Sequence, residues 1–143
     1  MKIAFYKAKY GNWLDKLISV LTLSKYSHCE IILDSNIFVS ASPRDGGVRF
    51  KNITADNHWD CFDIYDVNTI SNEAQEWFES VLGQKYDWLG AAGSLFGLNF
   101  TSKNKKFCSY CCATVLDLDP ITTPGELYET LLEIRMIRAI TIK

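Results

Sequence analysis

Two residues, Cys108 and His28, stand where the sequence favours nucleophilic chemistry. Cys108 follows a basic, turn-forming run (101–106) and begins an apolar stretch that predicts a helix. A thiol in the first turn of a helix meets unpaired backbone N–H groups and the positive end of the helix dipole, which both favour the reactive thiolate. His28 opens a strand-like run (28–33) and is the candidate base. The pair predicts covalent catalysis by a thiol.

A thiol–imidazole pair also needs a polar group that orients the imidazole. Strands at 28–33 and 37–41, joined by a turn at 34–36, would place Glu30 opposite about Ser40 and His28 opposite about Ser42. Glu30 shares a face with His28, so it is a candidate to orient the imidazole or to bind a substrate amine. An exposed, solvated carboxylate explains Glu30 equally well.

The remaining cysteines suggest plainer interpretations. Cys29, Cys61, Cys111 and Cys112 are interpreted as small buried side chains. The C-x-x-C spacing of Cys108 and Cys111 is also compatible with a zinc site or a two-cysteine redox site. The sequence offers neither the second pair of closely spaced ligands that structural zinc requires nor a thioredoxin-like pattern, so no metal or cofactor is expected.

Composition limits the class of protein. The chain has 143 residues, 48% of them hydrophobic, and a formal net charge of −2, which together predict one globular domain over 1–143 and no nucleic-acid partner. Its five cysteines are an odd number, which argues against a disulfide framework. No apolar run is long enough for a membrane span and no signal peptide is recognisable, so a cytoplasmic location is expected. The oligomeric state is not predicted.

Periodicity predicts an α+β fold in which antiparallel strands pack against helices, with the histidine strand before the cysteine helix. A helix at 13–23 is expected to bury its apolar stripe in the core, and 89–98 is expected to form a buried helix. The predicted strands are 2–7, 28–33, 37–41, 48–53, 57–67 and 135–142. The other predicted helices are 73–82 (capped by Ser71 or Asn72), 108–118 and 124–132.

Five segments in this order resemble a known family. They are Tyr26-Ser27-His28-Cys29-Glu30-Ile31-Ile32-Leu33, Val39-Ser40-Ala41-Ser42-Pro43 with Gly46-Gly47-Val48-Arg49, Gly83-Gln84-Lys85-Tyr86-Asp87, Phe107-Cys108-Ser109, and Ile121-Thr122-Thr123-Pro124-Gly125-Glu126-Leu127. The pattern resembles the circularly permuted NlpC-like (YiiX/YaeF-type) branch of papain-like cysteine hydrolases, which is related to lecithin:retinol acyltransferase-like enzymes.

The resemblance implies a papain-like fold with Cys108 as nucleophile, His28 as general base and backbone N–H groups near Cys108 in an oxyanion hole. The third polar residue of the family, commonly a glutamate, corresponds to Ser40 here. The implied activity is hydrolysis of an amide in a small peptide, possible substrates being cell-wall-type peptides. Transfer or hydrolysis of a lipid or thioester acyl group, and a non-catalytic binding protein with a degenerate site, are the alternatives.

Overall fold

The computed structural model describes residues 1–64, 70–134 and 137–139. Its strands are β1 (Lys2–Lys7), β2 (Tyr26–Asp34), β3 (Ile37–Ser42), β4 (Gly47–Asn52), β5 (Trp59–Ile64), β6 (Lys85–Tyr86), β7 (Lys105–Lys106) and β8 (Ile137–Ala139). Its α-helices are α1 (Trp13–Thr22), α2 (Ile70–Ser80), α3 (Trp88–Ser94), α4 (Cys108–Val115) and α5 (Pro124–Glu133). A short 3₁₀ turn spans Ala8–Tyr10.

The strands form one sheet in the order β7-β6-β4-β3-β2-β1-β5-β8. Neighbouring strands are antiparallel except β6 and β7, whose pairing is parallel. The predicted α+β class, with a largely antiparallel sheet against helices, is confirmed. Strand β2 lies between β1 and β3, and the residues at its start pair with β1, where Tyr6 is the partner of His28.

The register of β2 and β3 follows the predicted hairpin. Ile31 pairs with Val39 and Ile32 with Phe38, and the same count places Glu30 opposite Ser40. Successive side chains of a strand lie on opposite faces of the sheet. Cys29 and Ile31 therefore face the helices and belong to the main core, whereas Ile32 lies on the other face in a smaller cluster with Ala4 and Phe38.

The main core lies between the sheet and helices α2, α4 and α5. Its members from these helices include Phe78, Cys112 and Leu131, which are fully buried. On the sheet side, the rings of Phe5 and Tyr26 lie 5.1 Å apart. This core fixes α4 against β2, and with it the position of Cys108.

The prediction that α1 buries its apolar stripe is wrong. Of the stripe, Trp13, Leu17 and Leu21 are 74%, 44% and 49% exposed, and the buried residue of the helix is Asp15. Asp15 accepts hydrogen bonds from Ser27 (2.7 Å) and Arg44 (2.7 Å), and it completes the capping box at the start of the helix. Periodicity detects an apolar stripe but does not show whether another element covers it, and α1 is anchored through polar contacts.

Two other predicted elements need correction, and two extend outside the described residues. The segment 89–98 is not a buried helix: α3 ends at Ser94, and the turn that follows is exposed. Helix α2 begins at Ile70, before the predicted cap. Of the predicted strand 135–142, β8 is the described part, and the rest lies outside the described residues, as does the end of the predicted strand 57–67. In the described residues no helix is long and apolar enough to cross a membrane.

Candidate active site

Cys108 is the first residue of α4, as the sequence predicts. The chain enters the helix directly from β7 at the edge of the sheet, and Phe107 occupies the cap position in extended conformation. Within α4, Cys111, Cys112 and Ala113 are fully buried, and the Ser109 hydroxyl donates to the carbonyl of Thr122. These contacts fix the first turn of the helix, so the Cys108 thiol has a defined position.

His28 lies near the start of β2 and is oriented by Glu30. The His28 Nε2 atom lies 3.0 Å from Glu30 Oε1, which leaves Nδ1 as the ring nitrogen available to Cys108. The Glu30 side chain is only 1% exposed and that of His28 15% exposed. The interpretation of Glu30 as a solvated carboxylate is therefore wrong, and its alternative role beside the imidazole fits the geometry.

Arg49 on β4 compensates the buried charge of Glu30. Its Nη1 donates to Glu30 Oε2 (2.6 Å) and its Nη2 to Glu30 Oε1 (2.8 Å), a bidentate pair. Arg49 Nε donates in turn to Asp45 Oδ2 at 2.8 Å. Burial would raise the pKa of Glu30, but hydrogen bonds from Arg49 and His28 lower it overall, so the carboxylate stays ionised.

Cys108 and His28 interact electrostatically. Burial would lower the pKa of His28, but the negative charge of the Cys108 thiolate and a hydrogen bond to it, together with Glu30, raise that pKa to about 10. A hydrogen bond from the Cys29 thiol and the positive charge of His28 lower the pKa of Cys108 well below its usual range, against the effect of burial. Both pKa shifts favour the thiolate–imidazolium form of the pair.

Cys29 is part of this arrangement. Burial, followed by its hydrogen bond to Cys108, raises the pKa of Cys29 well above its usual range, so it remains a thiol and donates its S–H to the thiolate. The sequence predicts a buried Cys29, and the side chain is buried, but the sequence did not predict its interaction with Cys108. Burial likewise raises the pKa of Cys111. All five cysteines are free.

The structure does not bring Ser40 to the imidazole. The Ser40 hydroxyl is fully buried and donates to the backbone carbonyl of Cys29 at 2.9 Å. Glu30, which lies opposite Ser40 in the hairpin, makes the contact with His28 instead. Ser40 was expected to orient the imidazole, and in the structure Glu30 makes that contact. The reason is that the Glu30 side chain is longer and lies on the same strand as His28.

Sequence reasoning also missed Arg49 as part of the site. The sequence supplied only the predicted strand that carries Arg49. In the structure Arg49 pairs in register with Ser40 and faces the same side as Glu30. Only the observed strand order shows that this cation reaches the carboxylate across β3.

Comparison with known proteins identifies a solved structure that has a similar fold. No protein-family model matches the chain, and no curated protein matches it. Among solved structures, the chain is similar to the metalloprotein YiiX of Escherichia coli O157:H7 (DUF1105), with a TM-score of 0.60 and 16% sequence identity. The match covers 81% of this chain and 63% of the YiiX chain.

At this identity the similarity shows a shared fold. The description of YiiX as a metalloprotein is not matched by a ligand set here, because the described part of the chain contains no group of three or more His, Cys, Asp or Glu side chains arranged to bind a metal ion. The chemistry of the site is derived from Cys108 and its neighbours. The comparisons place the chain beside YiiX in fold.

Proposed function

We propose that the protein is a thiol hydrolase that cleaves an amide bond through a Cys–His acyl-enzyme mechanism. The observation that carries the proposal is the combination of Cys108 at the start of α4 with His28, whose Nε2 is bound by the buried Glu30. A nucleophile activated by a base that a third group orients is the common pattern of covalent acyl transfer.

The reaction would proceed in two halves. The Cys108 thiolate attacks the substrate carbonyl, and backbone N–H groups in the first turn of α4 stabilise the oxyanion. The His28 imidazolium transfers its proton to the leaving amine as the C–N bond breaks. The neutral imidazole then removes a proton from water, which attacks the thioester, and release of the carboxylic acid restores the thiolate and the imidazolium.

Glu30 takes the orienting role in this proposal, and Arg49 keeps it charged. A carboxylate stabilises an imidazolium more strongly than the hydroxyl of Ser40 would. Ser40 contributes by donating to the backbone carbonyl of Cys29, whose thiol lowers the pKa of Cys108. Its effect on catalysis would therefore be indirect.

A small peptide is the first candidate substrate, with cell-wall-type peptides included, on the strength of the resemblance to papain-like hydrolases. An ester or thioester of an acyl chain is the second candidate. One observation favours it: exposed apolar side chains, including Leu89 and Phe96, lie in the segment that leads into the cysteine helix.

The proposal is tested by alkylation of the native protein with iodoacetamide between pH 5 and 9, with each cysteine followed by mass spectrometry. Cys108 is expected to react well below pH 8, and the His28→Ala variant is expected to shift its profile to higher pH. Cys111, which is buried with a raised pKa, is the internal control. A Cys108 that titrates as an ordinary thiol in both proteins would contradict catalysis and favour a binding protein.

A further inference from the structure

The segment between β6 and β7 exposes a group of large apolar side chains that the proposed chemistry does not use. Five of them are 47–70% exposed: Trp88, Leu89, Phe96, Leu98 and Phe100. We call these five residues, with the exposed lysines Lys103 and Lys105, the 88–105 surface. Exposed apolar side chains that are grouped in one segment, rather than scattered singly, are typical of a contact with another molecule or with a lipid phase.

The 88–105 surface is fixed at its base. Asp87 caps α3 by accepting from the N–H of Gly90 (2.9 Å), and it also accepts from the N–H of Ser102 (2.9 Å). The backbone N–H of Asp87 donates to the carbonyl of Lys106 at 2.8 Å. One buried carboxylate thus closes the segment at both ends, so the apolar side chains are presented by an ordered loop.

The same contacts place this surface beside the candidate active site. Lys106 is two residues before Cys108, and the α-carbon of Gly90 lies so close to the ring of Phe107 that an added Cβ would be 3.1 Å from it. The loop therefore approaches the residue that precedes the nucleophile.

The charge of the segment is of one sign. From residue 88 to residue 116 the sequence contains no Asp or Glu, while it contains Lys103, Lys105 and Lys106. Lys106 is buried, and its Nζ donates to the backbone carbonyls of Lys103 and Lys105. The side chains of Lys103 and Lys105 are exposed. Aromatic and aliphatic side chains fringed by lysines are the composition of segments that bind at the headgroup region of anionic membranes.

We propose that the 88–105 surface docks the protein on an anionic lipid bilayer, with the apolar side chains inserted at the interface and Lys103 and Lys105 at the headgroups. The apolar face of α1 does not share this charge pattern: its lysine, Lys16, follows an acidic residue, Asp15. Uniform positive charge next to the apolar group favours a lipid surface over a second copy of this chain, whose own 88–105 surface would repel it.

Vesicle co-sedimentation of the full chain tests the docking. The protein is expected to bind vesicles of phosphatidylcholine with 30% phosphatidylserine, to bind phosphatidylcholine alone at least tenfold more weakly, and to be released by 0.5 M NaCl. Lys103→Glu with Lys105→Glu, and separately Leu89→Ser with Phe96→Ser, should each weaken binding at least tenfold. Leu82→Ser, at a side chain 56% exposed on another part of the chain, is the matched control and should leave binding unchanged.

A second measurement does not depend on the folding of these variants. Vesicles with brominated acyl chains quench the fluorescence of tryptophans that enter the interface. Two exposed tryptophans, Trp13 and Trp88, can be compared. The quenching should be lost in Trp88→Phe and retained in Trp13→Phe. Quenching that disappears with Trp13→Phe would overturn the proposal, as would vesicle binding that the surface variants do not change.

Absence of vesicle binding would also overturn the docking proposal. So would a dimer, detected by light scattering, that the double substitution Leu89→Ser with Phe96→Ser dissociates. The proposal does not depend on the thiol chemistry. Cys108→Ala should bind vesicles as the native chain does, so failure of docking and failure of catalysis give different results.

Discussion

The His28 ring lies against the Glu30 carboxylate through Nε2, and the Cys108 thiolate acts on the same imidazole. The charge of Cys108 is a principal cause of the raised pKa of His28, since burial acts in the opposite direction. Removing the thiolate with Cys108→Ala should therefore lower the pKa of His28 from about 10. NMR titration of the imidazole carbons checks this, and a His28 whose pKa is the same in both proteins would show that the two residues are not coupled.

Glu30 and Ser40 lie opposite one another and allow a matched comparison. Glu30→Gln removes the charge that raises the pKa of His28, so the labelling profile of Cys108 should move to higher pH. Ser40→Ala should leave that profile in place, because its hydroxyl donates to the Cys29 carbonyl. Loss of that buried hydrogen bond should cost about 1–3 kcal/mol of unfolding free energy, measured by urea denaturation. A profile that moves with Ser40→Ala alone would return the orienting role to Ser40.

At the level of the elements, the approach of β4 to β6 depends on a glycine. A Cβ on Gly47 would overlap the backbone carbonyl of Gln84, which cannot move as a flexible side chain can. Gly47 and Gly46 both have positive φ, 155° and 83°. Gly46→Ala is the control, because its φ strains an alanine by roughly 1–2 kcal/mol but the space around it is open. Gly47→Ala should reduce the unfolding free energy by more than Gly46→Ala in parallel urea titrations. Equal losses of unfolding free energy in the two variants would mean that backbone strain alone, and not the overlap with Gln84, determines the effect of each substitution.

Local signals explain why many elements could be predicted from the sequence. Asn12, Thr123 with Pro124, and the turn after β2 each carry a capping or turn signal that acts within a few residues. The start of α4 at Cys108 and the register of the β2–β3 hairpin also followed from local patterns. The contact between Glu30 and Arg49 did not, because it depends on which strands are neighbours in the sheet.

Considered as a whole molecule, the chain distributes its apolar side chains unevenly. The sheet buries them against α2, α4 and α5, whereas α1 and the 88–105 surface leave large ones in contact with water. An apolar stripe on a helix predicts burial only when a partner covers it, and sequence periodicity does not report the partner. This is the reason why the helices at 13–23 and 89–98 were expected in the core.

Two leucines on different helices measure this uneven distribution. Leu131 on α5 is fully buried, and Leu21 on α1 is 49% exposed. Leu131→Ala should lower the unfolding free energy by about 2–5 kcal/mol, since it removes buried methyl groups and leaves a cavity, whereas Leu21→Ala should change it by less than about 0.5 kcal/mol. Urea denaturation followed by circular dichroism measures both. If Leu21→Ala cost as much as Leu131→Ala, the apolar face of α1 would be covered in solution, and the core would include a helix that the structure leaves outside it.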